Sequence, residues 1–406
     1  MKHFNKTKNN NKTLIILMVI LIALFSILSP LKVFCADKTT TEISEDLNNS
    51  IIDELNQIDF SKFNEVIVQF DESNTNIFSI DNIKNKVYSI ITGENAINYN
   101  SFFASIFSML IDIVVKYLPM LSLIIAIGVI SNLLSGVKSK FESKSTANLI
   151  HLVCFMSVII IMISLITSLS KRTEQAITGM VGQMNALFPI LLTLMVAVGA
   201  TASVGVYQPI VAIISTYVAD VFTYFIMPLF LASFVFNIIT NLSDNIKLDK
   251  FNSFISSLFK WCVGLVFTIF FAILTIQGIS AGSFDSLSIR TTKYTIKSYI
   301  PIMGGYLADG MDLILCSSVL IKNAVGLVGI LLIASTIISP LLEIAVFSLL
   351  LKLVSAILQP LGNNKTSNFL MGCSKAVTIL STCIIAVGFM YLISIGLVMN
   401  STNVVM

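Results

Sequence analysis

Charge is scarce in this chain of 406 residues. Only 12% of the residues are Asp, Glu, Lys or Arg, whereas 55% are hydrophobic and the mean hydropathy is +0.90. Soluble domains have about 25% charged residues, so this composition excludes an ordinary water-soluble enzyme. The two arginines, Arg172 and Arg290, cannot form a basic stripe along a nucleic-acid backbone, and we expect no nucleic-acid partner.

Residues that carry common catalytic chemistry are also few. His3 and His151 are the only histidines, too few for a His-based metal site or a catalytic triad. The six cysteines show no CxxC spacing, and most lie in apolar stretches, where cysteine is typically a small buried hydrophobe. Motifs for nucleotide phosphates, zinc peptidases and serine hydrolases are absent. We therefore expect no enzyme activity, no metal and no cofactor.

The N-terminus has the layout of a secretory signal. Four lysines between positions 2 and 12 precede an apolar run at 14–28, and the small residues Cys35 and Ala36 follow. This pattern predicts a signal peptide at 1–36 that is cleaved after Cys35. An uncleaved anchor helix is the alternative, because 14–34 could nearly span a bilayer.

Residues 37–112 form a predicted acidic extracytoplasmic segment. Between Asp37 and Asn100, twelve acidic residues face four lysines, a net of eight negative charges. Apolar residues at helical spacing indicate a short amphipathic helix within it. These residues are Ile51, Ile52, Leu55, Ile58 and Phe63.

Residues 113–406 form a predicted polytopic helical membrane domain. A membrane span needs about 20 mainly apolar residues, and about eight segments qualify. They are 114–134, 149–169, 184–204, 209–240, 258–281, 313–338, 341–361 and 376–399. The fourth contains Pro209 and Pro228, which predict a kinked helix or two half-helices. The fold class is therefore all-α, with about seven to eight transmembrane segments, some kinked or re-entrant.

The charges in the connections predict an orientation. With the acidic segment outside, the connection holding Lys138, Lys140 and Lys144 is cytoplasmic, as is the one holding Arg290, Lys293 and Lys297. Lys171 and Arg172 would then be extracytoplasmic, against the rule that cytoplasmic connections are the basic ones.

Some predicted spans contain polar residues that are costly in a membrane. Asp220 lies near the middle of the fourth span. Its carboxylate either lines a conduit or proton path, or lies at a boundary between two shorter helices. Lys322 with Asn323 interrupts one of the following spans, and Glu343 and Lys352 interrupt the next. We expect Lys322, Glu343 and Lys352 to face one another or a polar cavity. The alternative is that the two lysines snorkel towards the membrane surface.

Small residues and a mixed basic segment complete the pattern. The pair Gly278 and Gly282, and Gly326 with Gly329, predict close helix contacts. The stretch 283–312 combines cations, tyrosines and glycines, which is typical of an interfacial helix facing lipid headgroups or a cytoplasmic partner.

Three sequence blocks resemble a known family. They are TIQG ending at Gly278, the run 288–330 (SIRTTKYTIKSYIPIMGGYLADGMDLILCSSVLIKNAVGLVGI), and LQPLGNN at 358–364. Together with Pro209 and the MPL that begins at Met227, these blocks resemble the stage III sporulation protein AE family of endospore-forming bacteria, over roughly residues 100–400.

This resemblance implies a specific role. Members belong to a trans-envelope complex between mother cell and engulfed forespore, which supports forespore gene expression after engulfment. The implied partners are the other membrane and ring subunits of the complex, its cytoplasmic ATPase and membrane lipid, in a hetero-oligomer. The implied location is the mother-cell membrane around the forespore, and the implied activity is that of a channel-forming or export-gate-like subunit.

The candidate functional residues follow from this pattern. Those that match it are Arg290, Lys293, Pro301, Asp309, Asp312, Lys322, Asn323, Lys352, Gln359, Pro360 and Gly362. Asp220 and Glu343 are polar positions outside it. A secondary transporter that uses Asp220 or Glu343 as a proton site is the alternative function, although no internal repeat is visible.

Overall fold

The computed structural model describes residues 42–71, 83–92, 99–137, 144–242, 248–299 and 304–401. The predicted signal peptide and Pro301 lie outside these residues. The chain divides into two compact units, Met1–Asp46 and Leu47–Met406, and only residues 42–46 of the first are described.

Regular structure in the described residues is entirely helical. Three short helices come first, followed by five helices of 37 to 55 residues and two shorter helices between them. They are α1 (Glu42–Gln57), α2 (Ser61–Asp71), α3 (Ile83–Thr92), α4 (Tyr99–Val137), α5 (Lys144–Ala197), α6 (Thr201–Ile213), α7 (Met227–Leu242), α8 (Asp249–Tyr299), α9 (Gly304–Leu358) and α10 (Asn364–Asn400). Six helical stretches among the described residues are long and apolar enough to cross a membrane. The prediction of an all-α polytopic chain is confirmed.

Two pairs of predicted spans are fused. The second predicted span and most of the third lie in the single helix α5, and the sixth and most of the seventh lie in α9. The sequence pattern places Lys171 and Arg172 in a connection between two spans, but both residues lie within the continuous helix α5. At 1.5 Å per residue, α5 and α9 are each about 80 Å long, far longer than one bilayer crossing requires.

The fourth predicted span is irregular, as its prolines indicated. Between α6 and α7 the backbone forms two π-helical segments, Ile214–Val218 and Val221–Ile226. Pro209 lies inside α6 and Pro228 at the start of α7. Because proline cannot donate an i→i−4 hydrogen bond, such widened turns are a physically reasonable way to continue the helix.

Helices α9 and α10 form an antiparallel hairpin. Paired serines join them at two levels, with Ser355 Oγ 3.0 Å from Ser367 Oγ and Ser348 Oγ 2.9 Å from Ser374 Oγ. The turn between them contains Gly362 with φ of 77°. Its amide donates to the Gln359 carbonyl and the next amide to the Leu358 carbonyl, the Schellman pattern that ends a helix with a left-handed residue.

Helix α9 occupies the centre of the bundle. It packs against α10, α5, α4 and α8, and almost every residue from 317 to 334 is buried. A helix that is apolar on all sides belongs in such a position. Close contact is possible because Gly329 faces Leu187 of α5 and Gly326 faces Met399 of α10, where a Cβ atom would lie 2.2 Å and 2.5 Å from those side chains. The prediction for these two glycines is confirmed; the side chains around Gly278 and Gly282 are not among those described.

The acidic segment contains helices that pack on the bundle. Ile51, Leu55 and Phe63 of the predicted amphipathic pattern are buried, whereas Ile52 is exposed. Helix α3 packs against α9 and α2 against α5. Helix α1 contacts α9 through Ser50, whose hydroxyl lies 3.3 Å from that of Ser317.

Candidate functional site

A buried ion cluster joins three helices in the last third of α9. Glu343 Oε1 accepts hydrogen bonds from Lys116 Nζ at 2.5 Å and from the Tyr117 hydroxyl at 2.6 Å, both on α4. Its Oε2 accepts one from Arg172 Nη1 of α5 at 3.0 Å. The Glu343 side chain is 4% exposed, whereas those of Lys116 and Arg172 are 41% and 48% exposed. One buried carboxylate is therefore held between two cations that keep contact with the surroundings.

Aromatic packing fixes the same cluster. The Tyr117 ring lies 4.8 Å from that of Phe347, one turn beyond Glu343 on α9. Lys116 Nζ lies 5.1 Å from the Tyr117 ring centroid, within cation–π range. These contacts restrict the rotamers of the groups around Glu343, so the cluster sets how α4 and α5 align with α9.

Lys322 has no exposed surface. It lies about six turns before Glu343 on α9 and donates to the Met399 carbonyl at 2.7 Å and the Val398 carbonyl at 3.4 Å. The last carbonyls of a helix lack intrahelical partners, and a lysine can satisfy them. Lys322 therefore fastens α9 to the C-terminal end of α10, and its neighbour Asn323 is buried beside it.

The expectation that Lys322, Glu343 and Lys352 face one another is wrong. Lys322 and Glu343 are separated by about 31 Å along α9, and Glu343 bonds to α4 and α5. Lys352 is half-buried nearer the end of the helix. Lys322 also does not snorkel, because its side chain is enclosed.

Two of the other predicted residues do meet. Lys293 of α8 forms an ion pair with Asp312 of α9. Arg290 is exposed on α8, and the side chain of Asp309 is not among those described. Asp220 is half-buried between the two π-helical segments, within electrostatic range of Tyr391.

The Lys293 contact corrects the predicted orientation. Asp312, the partner of Lys293, lies about 9 Å along α9 from Ser318, which donates to Glu54 of α1 at 2.9 Å. The acidic helices and the Arg290–Lys297 region thus lie at the same end of the bundle. They cannot lie on opposite sides of a bilayer whose hydrocarbon core is about 30 Å thick.

Sequence reasoning missed Asp285, which holds the start of α6. The two oxygens of its carboxylate accept hydrogen bonds from the amides of Ala202 at 2.9 Å and Ser203 at 3.0 Å. Amides in the first turn of a helix have no acceptor within the helix, and the Asp285 carboxylate supplies one for both. The preceding turn contains Gly199, with φ of 81°, packed against Ile289 of α8.

The partners of Glu343 were also missed. Glu343 is the only acidic residue after Asp312 and lies in an apolar run. A carboxylate in such a run needs a cationic partner, so the sequence indicated that lysine or arginine from another helix pairs with it. Within the described ranges, no group of three or more His, Cys, Asp or Glu residues could hold a metal ion.

Comparison with known proteins places the chain in a family. Residues 82–402 match the family model described as stage III sporulation protein AE. The chain is 23% identical over 323 residues to stage III sporulation protein AE of Bacillus subtilis (strain 168), covering 80% of this chain and 81% of that protein. No solved structure matches the chain. With nearly the whole helical bundle matched, the chain belongs to the stage III sporulation protein AE family.

Proposed function

We propose that this protein is a non-enzymatic, membrane-embedded subunit of the sporulation complex that connects mother cell and forespore. It acts as a channel-forming or export-gate-like component needed for forespore development after engulfment. The family match over 82–402 is the observation that carries this proposal. Its partners are other membrane and ring subunits of the complex, the cytoplasmic ATPase and lipid, and its place is the mother-cell membrane around the forespore.

The packing of α9 supports a role as one subunit among several. Residues 317–334 of α9 are enclosed by α5 and α10, with Gly326 and Gly329 in close contact with their neighbours. Side chains therefore fill the middle of this part of the bundle. Any path for a transported species runs along the outside of these helices, where other subunits complete it.

A secondary transporter is less consistent with the geometry. It would need a carboxylate that exchanges protons during each cycle. Glu343 is engaged at both oxygens by Lys116, Tyr117 and Arg172, which makes it a fastening point for three helices. This arrangement supports the subunit role better than the alternative.

The test uses sporulating cells that produce a tagged full-length chain. We expect the chain to co-isolate with other membrane subunits after engulfment, and its deletion to stop late forespore gene expression while engulfment still completes. Normal late expression in the deletion strain, or a chain that isolates alone, would contradict the proposal.

Two lysine variants sharpen this test. Lys322→Met should lower the amount of chain in the membrane, because Lys322 holds the end of α10. Lys352→Met, at a half-buried position, should accumulate normally. If Lys352→Met assembles but late expression fails, then Lys352 contributes to the conduit itself.

A further inference from the structure

The exposed side of α5 changes character along one continuous helix. Its first part exposes large apolar side chains, whereas the part after about residue 164 exposes mainly polar ones. The apolar set is Leu149, Leu152, Val153, Met156, Ile160 and Ile163. The polar set is Ser164, Thr167, Ser168, Lys171, Arg172, Glu174, Gln175, Thr178, Asn185 and Thr193.

Lipid contact explains only the first part. Charged and amide side chains that face hydrocarbon cost several kcal/mol, so the second part of α5 is unsuited to a lipid surface. Its apolar residues, such as Leu187 and Leu191, face inward and are fully buried. The hydropathy of 184–204, which predicted a span, therefore reflects contact with α9 rather than with lipid.

Helix α9 runs in the opposite direction and is enclosed over much of its part before Glu343. Beyond Glu343 it exposes Leu349, Leu353 and Ile357, whereas residues 317–334 are almost all buried and only the first turns expose large apolar residues, such as Leu307 and Ile314. On α8 the first part exposes apolar residues as far as Phe271, and the described residues of its last turns expose a hydroxyl-rich, basic side together with Leu287 and Tyr294. The residues of that side are Ser288, Arg290, Thr291, Thr292, Thr295 and Lys297.

The lipid-facing layer has the thickness of a bilayer. From Lys116 to Leu134 on α4 is about 27 Å, and from Leu149 to Arg172 on α5 about 35 Å, against a hydrocarbon core of about 30 Å. The Lys116–Arg172–Glu343 cluster lies at one limit of this layer. On α4 the exposed apolar residues continue about 14 Å beyond Lys116, to Phe107, and on α8 they continue at least to Phe271, so the boundary crosses the bundle obliquely.

The opposite limit of the layer is basic. The Gly362 turn lies beside Asn132 near the end of α4, and Asn237 near the end of α7 donates to the Phe369 carbonyl of α10. The described helix ends on either side of these connections therefore lie together. By sequence, Lys138 and Lys140 follow α4, Lys247 follows α7, and Lys365 lies at the start of α10 just after the Gly362 turn, which assigns this end to the cytoplasm.

We propose that only the layer between the Glu343 cluster and these basic connections lies in the bilayer. The second half of α5, the part of α9 before Glu343, the end of α10 bonded to Lys322 and the last turns of α8 project from the membrane on the extracytoplasmic side, together with α1–α3. This projecting body extends about 38 Å along α5 from Arg172 to Ala197. The inference concerns this chain alone and does not depend on the proposed function.

Cysteine labelling tests the assignment in the full-length chain, expressed without other sporulation proteins so that nothing else covers it. A charged, membrane-impermeant maleimide is applied to spheroplasts and to inside-out vesicles, with the unsubstituted chain as background. Thr178→Cys and Thr193→Cys probe the projecting half of α5, Met156→Cys its lipid-facing half, and Lys365→Cys the cytoplasmic turn. All four positions are exposed.

We expect Thr178→Cys and Thr193→Cys to react from the outside only, Lys365→Cys from the inside only, and Met156→Cys from neither side. Each variant should react fully in SDS, which shows that the introduced cysteine is reactive once it is exposed. Each should also elute in detergent as the unsubstituted chain does, which shows that it is folded. Protection of Thr178→Cys or Thr193→Cys from the outside reagent would overturn the proposal. Labelling of either from the inside would overturn it as well.

Discussion

At the scale of single residues, Glu343 is the most heavily engaged carboxylate in the described part of the chain. Glu343→Gln leaves Lys116 and Arg172 facing a neutral amide. Because both cations are about half-exposed and can hydrate, we expect a loss of about 1–3 kcal/mol rather than the larger cost of an enclosed charge. Thermal unfolding of the detergent-purified chain measures it as a lower midpoint.

The matched control for this prediction is Glu174→Gln, which removes an exposed carboxylate two residues from Arg172. Surface substitutions usually change stability by no more than about 0.5 kcal/mol. Equal unfolding midpoints for the two variants would show that Glu343 does not hold the three helices together.

Glu54 predicts a pH dependence for the docking of α1. Partial burial raises the pKa of Glu54 above its ordinary value of 4.5, and hydrogen bonds from Ser318 and Ser317 lower it by less. Its Oε2 is buried without a hydrogen-bond partner among the described residues. Because the folded state favours the protonated form, docking is strongest below pH 4.5 and weakens as pH rises from there through the raised pKa.

Hydrogen exchange of the α1 amides, corrected for intrinsic rates, measures this between pH 4 and 8. Glu54→Gln should remove the pH dependence and increase protection at neutral pH, because its amide oxygen still accepts from Ser318. Asp53→Asn, at the exposed neighbouring position, should leave the dependence unchanged. Protection that increases with pH in the unsubstituted chain would contradict this account.

At the scale of helices, hydropathy predicted which segments are helical better than it predicted where each helix begins and ends. Apolar runs correctly located the helical segments, and Pro209 and Pro228 correctly marked the irregular one. The runs could not show that 149–169 and most of 184–204 form one helix, because Lys171 and Arg172 have the composition of a connection. Only the partner of Arg172, a glutamate 171 residues later in the chain, explains why a continuous helix has charges there.

The site was less predictable than the helices for the same reason. Lys322 and Lys293 were identified from the sequence, but their partners are a backbone carbonyl of α10 and Asp312 of α9. Such contacts depend on register between helices, which hydropathy does not contain. Gly362 was recognised as part of a family pattern, and its left-handed conformation in the turn supplies the physical reason for glycine there.

Asp285 provides a prediction about how α8 supports α6. Asp285→Ala removes the acceptor for the amides of Ala202 and Ser203, and losing such a cap costs about 0.5–2 kcal/mol. Hydrogen exchange of a peptide covering 200–206 should become faster. Asp312→Ala breaks the more exposed Lys293 pair, worth about 0–1 kcal/mol, and should leave that peptide unchanged. Unchanged exchange in Asp285→Ala would show that α6 begins without help from α8.

At the scale of the whole molecule, the filled interior around α9 predicts that the chain alone does not conduct. In a pore-forming monomer, polar side chains line a continuous open path through the bundle. Here the centre of the bilayer layer holds the enclosed apolar residues Phe347, Leu351 and Val354 of α9, and the two buried charged groups among the described side chains of that helix, Lys322 and Glu343, are each bonded to a neighbouring helix.

Liposomes containing the purified full-length chain measure this directly. We expect release of a trapped small dye, and proton flux under an imposed potential, at the rate of protein-free liposomes, with a pore-forming peptide added last to show that the vesicles were sealed. Flux well above that rate, abolished by Glu343→Gln, would place a path within the chain and favour the transporter. Sealed vesicles would instead mean that conduction requires the surfaces between subunits, because the centre of this one is already occupied by its own helix.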